Sequence, residues 1–288
     1  MLIRFIARVA NTSIGLALIR LLVKPEGIFL CYPVQPRFAD HFASKRRQLK
    51  NSWDPYLVGI MHQGEASSLV FAISATEEDI RCPTSLGKLN ELVQKIEMSR
   101  QYFGCSRVAM AGILPSVLRA RRLRRTGVEV QVTCTAVANA VLMLLGSLES
   151  RPAVIVVLGG KGYIGRNLVR ELGCRQLGIQ LVSVDKGDNL FDKSNALFIN
   201  CTVPGFIEQN WRSFPEGSVL LNEVYPAPSH EIVSRLEANG IQVFHVSGLA
   251  GKVYPKMPAE YRDAVPCCAA FPGNESNVII KRLREHRI

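Results

Sequence analysis

The chain has 288 residues, with 35 Lys and Arg against 24 Asp and Glu for a net charge of +11. A hydrophobic content of 48% with 20% charged residues excludes a disordered chain, and the length supports one large or two ordinary domains with ample core. The basic balance implies an acidic partner (nucleic acid, an anionic membrane, a phosphorylated cofactor or an acidic protein), but no zinc finger, RNA-binding signature or aromatic-interleaved basic repeat is present, so nucleic acid is not expected.

Residues 1–24 are apolar with Arg4, Arg8, Arg20 and Lys24 interspersed. The uninterrupted apolar run is too short to span a bilayer, and no convincing cleavage site follows. An amphipathic helix is predicted, either packed on the body of the protein or lying as a peripheral contact on a membrane surface. Short strands are predicted over 28–32, 57–60 and 68–73, with a basic helix over 37–50 carrying Lys45, Arg46, Arg47 and Lys50. His62 is placed in a polar turn between Gly59 and Gly64, as a solvated residue or an acid–base candidate.

The stripe Leu86, Leu89, Leu92, Val93, Ile96 and Met98 predicts a helix over 84–103, stopped by Gly104. A strand over 108–114 is expected to end at Pro115. Arg119, Arg121, Arg122, Arg124 and Arg125 then form the densest charge cluster, with no acid inside it. Such a run reads as a solvated face, with docking of an acidic carrier protein as its functional alternative. A strand over 128–132 is predicted to lead through Thr133, Cys134 and Thr135 into an apolar helix over 136–148. That junction reads either as a helix cap or as a substrate seat.

The most informative stretch is 154–185. An apolar β-branched run over 154–158 precedes glycines at 159, 160, 162 and 165, an amphipathic segment follows, and a second apolar run over 179–184 ends on Asp185. Strand, tight turn, helix and strand with an acid at the second tip form the context of a dinucleotide-binding turn. Gly160 and Gly162 let the backbone turn and approach a pyrophosphate, Gly165 permits close helix packing, and the helix N-terminus offers N–H groups to phosphate. Two glycine registers fit, Gly160-x-Gly162-x-x-Gly165 and Gly159-x-x-Gly162-x-x-Gly165. Asp185 favours NAD by repelling a 2′-phosphate, and Lys186 offsets it, so the cofactor is NAD or NADP.

Beyond 185, strands over 196–203, 218–224 and 241–246 alternate with helical segments, and Gly248 and Gly251 suggest a flexible loop. The expected fold class is α/β: a doubly wound parallel Rossmann sheet over 151–288, ending in a helical tail over 277–287. A smaller mixed α/β domain over 1–150 is expected to serve the substrate or partner. The cysteines form no C-x-x-C pair and sit in apolar surroundings, which suits buried thiols in a reducing cytoplasm and makes no metal site expected. Cys267 and Cys268 are adjacent in an apolar segment, as packing or as a nucleophile that needs a nearby cation.

The order of these pieces resembles the acyl-carrier-protein reductases that form fatty aldehydes and, more loosely, glutamyl-tRNA reductase and shikimate dehydrogenase. A Gly-x-x-Gly-x-Ile-Gly turn matches Gly159, Gly162, Ile164 and Gly165, with Tyr163 between, and the Tyr-Pro after a strand matches Tyr225 and Pro226. The resemblance implies a cysteine nucleophile at Cys268. It departs from that family at Cys134 and Thr135, where a Gly-Asn pair belongs. The implied function is an NAD(P)-dependent oxidoreductase that reduces a small or carrier-bound acyl thioester to an aldehyde. The alternative is a non-catalytic dinucleotide-binding regulator or sensor.

Overall fold

The computed structural model describes residues 11–33, 52–124, 127, 129–185, 188, 195–256 and 264–284. The predicted helix over 37–50, Arg125 and Lys186 lie outside them. The chain divides into two compact units, 1–129 with 250–272, and 130–249 with 273–288.

The first unit carries helix α1 (Ser13–Val23), strands β1 (Gly27–Cys31), β2 (Tyr56–Gln63) and β3 (Ala66–Ala72), helices α2 (Glu77–Arg81) and α3 (Leu86–Phe103), strand β4 (Arg107–Met110) and helix α4 (Leu114–Ala120). Its core lies where Ile28, Leu30, Leu69, Phe71 and Met110 meet Leu89, Leu92 and Ile96 of α3 and Leu114 and Leu118 of α4. Leu89, Leu92 and Ile96 of the stripe that predicts α3 are buried and Val93 is partly so, whereas Leu86 and Met98 stay exposed, and Gly104 ends the helix in the left-handed conformation at φ 68°. Pro115 does not end a strand. It sits in the first turn of α4, where a missing N–H costs nothing.

The second unit carries α5 (Glu129–Ser147), β5 (Val154–Leu158), α6 (Tyr163–Cys174), β6 (Gln180–Val184), β7 (Ala196–Asn200), α7 (Phe206–Asn210), β8 (Val219–Asn222), α8 (His230–Ala238) and β9 (Gln242–Leu249). Strand β10 (Lys252–Tyr254) returns to the first sheet, and β11 (Val278–Leu283) closes the second. The sheet orders are β10-β2-β3-β1-β4 and β11-β9-β8-β7-β5-β6. In the second sheet β6, β5, β7, β8 and β9 run parallel, as alternating strands and helices predicted, and β11 is antiparallel to β9.

Several expectations are corrected. The boundary at 150 gives way because β10 pairs antiparallel with β2, taking 250–272 into the first unit, while the second begins at Val130. The helical tail is strand β11: Val278, Ile279 and Ile280 supply a β-branched edge that pairs with Val246 to Leu249 of β9. Gly248 lies inside β9 rather than in a loop. From Glu129 on, the residues expected as a strand and the junction at Thr133 to Thr135 are instead turns of α5, where Val130, Thr133, Cys134, Val137 and Val141 fall on one buried helical face. Helix α5 is apolar and long enough to cross a membrane by composition, but most of it is buried within the protein. His62 stands exposed on β2, not in a turn.

The arginine cluster is not one solvated face. Arg121 donates from Nη2 to the carbonyls of Arg81 (2.9 Å) and Cys82 (2.8 Å) and from Nη1 to Ser85 Oγ, closing the C-terminal end of α2. Arg124 donates to the Val108 carbonyl at 2.6 Å and pairs at 3.3 Å with Glu129, whose side chain is 2% exposed. Only Arg119 and Arg122 are exposed among the described members. Removing Arg124 strands a buried carboxylate, so Arg124→Ala should lower stability by about 3 kcal/mol in urea denaturation, whereas Arg122→Ala should leave it within about 0.5 kcal/mol.

Candidate functional site

The glycine turn follows directly from the parallel sheet. Strand β5 is buried along its whole length and ends at Gly159, whose φ of 80° belongs to glycine. A Cβ on Gly160 would overlap Ser183 Oγ of β6, and one on Gly165 would overlap the Gly159 carbonyl. These two glycines let the turn lie against β6 and let α6 begin directly against the turn. Gly162 is different. It is the N-cap of α6 and is exposed, and an added Cβ would meet protein only at the Gly159 carbonyl, 3.0 Å away.

Space therefore lies open in front of the first turn of a 12-residue helix. Helix N-terminal N–H groups and the aligned peptide dipoles favour an anion there. Tyr163 and Ile164 form that first turn, both half-buried, with the Tyr163 carbonyl accepting from Asn167 Nδ2 and the Ile164 carbonyl accepting the Cys134 thiol. The residues present fit a dinucleotide phosphate. The order β6-β5-β7 puts the turn where the chain changes direction across the sheet, the position at which such sheets take ligands.

Asp185 stands at the tip of β6 as the sequence indicated, but its carboxylate is engaged. Both oxygens accept the Lys161 backbone N–H, at 3.1 and 3.0 Å, binding the turn to the β6 tip. An adenosine ribose at this acid would share it with that N–H.

The sequence reading gave no weight to a row of polar side chains on the neighbouring strand ends. Asn200, Asn222 and His245 are register partners across β7, β8 and β9. Thr202 orients Asn200 and the Val224 carbonyl orients Asn222. Thr202 N–H donates to Asn200 Oδ1 at 3.3 Å, which aims Asn200 Nδ2 at Asn222 Oδ1, 2.7 Å away. Asn222 Nδ2 then faces the Val224 carbonyl at 2.6 Å and His245 Nδ1 at 3.0 Å. Burial pushes the His245 pKa down to about 4 and keeps the ring neutral.

That row fixes the strand tip from which Glu223 projects, one residue beyond Asn222 and on the opposite face. Glu223 is half-buried, and desolvation raises its pKa to about 8, so it holds a proton at neutral pH. Cys201 directly follows β7 and interacts electrostatically with Glu223, and Cys134 of α5 interacts with both. Burial pushes the Cys134 thiol up to about 12 and the Cys201 thiol well above its ordinary value. Both are therefore neutral thiols, not nucleophiles. A lone glutamate between a strand and a Tyr-Pro pair carries no signal in the sequence, because its proton comes from tertiary burial.

Cys268 belongs to the first unit. It lies half-buried in a 3-10 turn, Cys267–Ala269, with Cys267 buried beside it. Arg107 of β4 donates to the Ala269 carbonyl at 2.9 Å, stacks on Phe271 at 4.5 Å and interacts electrostatically with Cys268. It is the nearby cation that the sequence left unidentified.

No family model matches the chain, and no curated protein matches it. Among solved structures the chain is similar to one assigned as a malic enzyme (malate oxidoreductase), at 15% identity and a TM-score of 0.39, over 83% of this chain and 70% of that one. Likeness at that level carries no functional inference.

His245 also makes the strand ends pH-sensitive. Its folded pKa of about 4 lies below the unfolded value of 6.5, so its contribution is complete above pH 6.5 and lost as pH falls toward 4. The loss amounts to about 3 kcal/mol. Urea denaturation of the wild type should weaken by that amount more than that of His245→Gln over this interval, and equal slopes would remove His245 from the role.

Proposed function

We propose that the chain is an oxidoreductase that binds NAD or NADP at the 159–165 turn. The observation that carries the reading is the open cradle at Gly162, set at the N-terminus of α6 where the strand order of the sheet reverses. When bound, the reduced nicotinamide supplies hydride to an electrophilic carbonyl carbon. The chain's own task is to manage a proton. Glu223, protonated at neutral pH on the ligand-facing edge of the sheet, gives that proton to the carbonyl oxygen as the C=O π pair moves onto it. The carboxylate left behind is reprotonated from solvent.

The finer reading is reduction of an acyl thioester to an aldehyde, and it rests on Cys268. Its thiolate would form a bond to the thioester carbonyl carbon as the bond to the leaving sulfur breaks, that sulfur taking its proton from solvent. The bound nicotinamide would supply hydride to the same carbon, which would release the aldehyde and return the Cys268 thiolate. Arg107 supports this role, because a neighbouring guanidinium favours thiolate over thiol. A carrier-bound substrate is supported by Arg119 and Arg122, the exposed cations of the cluster.

Two experiments test the reading. Fluorescence titration with NADH and NADPH should give binding that Gly162→Val weakens at least tenfold with the circular dichroism unchanged, and undiminished affinity would sink the cradle. Asp185→Ala in the same titration should weaken NADH and spare NADPH. A screen of aldehydes and acyl thioesters, followed at 340 nm, then separates catalysis from sensing. Glu223→Gln should lower kcat about 100-fold at pH 7 with unchanged cofactor affinity, and the wild-type rate should fall as pH rises through about 8 while the variant's profile is flat there. Cys268→Ala should abolish turnover of thioesters only. Cofactor binding with no turnover of any substrate would favour the non-catalytic regulator.

A further inference from the structure

Helix α1 is apolar on two opposite faces, and the first unit uses only one of them. Leu16, Ile19 and Val23 lie against the core of that unit. The Asn11 side chain fixes the start of the helix, exchanging hydrogen bonds with the Leu57 backbone at 2.7 and 2.9 Å. Thr12 Oγ1 caps it by accepting the Gly15 N–H at 3.1 Å. The helix is thus held from beneath in one rotational setting.

In that setting Ile14 is 75% exposed, Leu18 55%, Leu21 75% and Leu22 78%. Their spacing of four, three and one residues gathers them into one stripe pointing away from the core. On helix α3, Tyr102 and Met98 are also exposed, 41% and 68%, and the Arg20 guanidinium lies 5.3 Å from the Tyr102 ring centroid. A contiguous apolar surface of this kind marks an interaction site, whereas scattered exposed leucines do not.

Charge identifies the occupant. Helix α1 contains no acid, and Arg20 and Lys24 flank its outward stripe. Within residues 1–25 the charged side chains are Arg4, Arg8, Arg20 and Lys24, all cationic, on a chain of net charge +11. An apolar stripe on a helix whose own charges are all cationic matches the boundary between acyl chains and anionic headgroups, although the exposed Glu26 follows Lys24. An apolar protein partner would account for the leucines but would not require the uniform sign of the charges.

We propose that the outward face of α1, Ile14, Leu18, Leu21 and Leu22 with Arg20 and Lys24 at its margin, docks the protein peripherally on an anionic lipid surface. The stripe enters the interface while the inward face keeps its contacts with the core, so docking needs no unfolding of the first unit. Attraction to headgroups is screened by salt and the apolar contribution is not, so binding weakens with ionic strength without vanishing. The proposal is independent of the oxidoreductase reading.

The test is co-sedimentation of the full chain with vesicles of phosphatidylcholine alone and of phosphatidylcholine with 30% phosphatidylserine, the latter composition chosen on the order of the anionic fraction that gives a physiological surface potential. Binding should favour the anionic vesicles at least tenfold. The double variant Leu18→Glu, Leu22→Glu should lose that binding at least tenfold while retaining its circular dichroism, because both side chains point away from the core. Arg20→Ala with Lys24→Ala should reduce binding to anionic vesicles several-fold and leave the weak binding to neutral ones unchanged. Equal sedimentation of wild type and the leucine variant, or no sedimentation with anionic vesicles, would overturn the proposal. So would a dimer in light scattering that the leucine variant abolishes, since that would assign the stripe to a second copy of the chain.

Discussion

The carbonyl of Gly159 occupies the space that a side chain at Gly165 would need, and Ser183 Oγ occupies the space that one at Gly160 would need. Everything proposed for the second unit depends on this close approach of backbone to backbone. It brings the N-terminus of α6 directly onto the end of β5 and lays the turn against β6. The Lys161 N–H then meets the Asp185 carboxylate and binds the second strand tip to the first. Any side chain at 160 or 165 forces these elements apart and dissolves the cradle from within. Gly162 carries a different constraint, since the space around it is open toward solvent and its missing side chain leaves room for a ligand.

A second constraint holds the other side of the same sheet edge. Asn200, Asn222 and His245 form a chain whose sense is set by Thr202, through its N–H and hydroxyl, and by the Val224 carbonyl. Each amide has one orientation that satisfies its neighbours, so the tips of β7, β8 and β9 are fixed relative to one another. His245 Nε2 and Ser247 Oγ remain buried without a hydrogen-bond partner among the described residues. Leaving polar atoms in that condition destabilises the fold, and the neutral state of the imidazole, which burial enforces, keeps the cost below that of a buried cation. Glu223 projects from the tip that this row secures, and its raised pKa is a consequence of how little water reaches it there.

The first unit is organised on other terms. Its arginines show how one residue type divides between structure and surface. Arg121 closes the carbonyl end of α2, Arg124 pairs with a buried glutamate and Arg107 lies under an aromatic ring beside Cys268, while Arg119 and Arg122 face solvent. A guanidinium has five N–H donors in a rigid fork, so it satisfies several carbonyls at once wherever a helix end or loop presents them. The reading of the cluster as a single cationic face failed because its acid, Glu129, stands beyond the run and reaches it only through the fold.

The sequence by itself determined the features that rest on local chemistry. The glycine spacing, the β-branched run over 154–158 and the acid at 185 identified the strand–turn–helix–strand unit because the backbone permits few other conformations there. Helix α3 and its glycine stop were legible for the same reason, as was the alternation that makes the second sheet parallel. Tertiary structure decided what local propensity leaves degenerate. The β-branched stretch at 128–135 alternates like a strand in sequence, yet Val130, Thr133 and Cys134 also share one helical face, and burial selected the helix from Glu129 on. The isoleucines at 279 and 280 became a strand only because β9 offered them an edge to pair with. The protonated state of Glu223, the neutral ring of His245 and the cation beside Cys268 depend on desolvation and on partners distant in the chain, and no reading of residues in sequence order contains those distances.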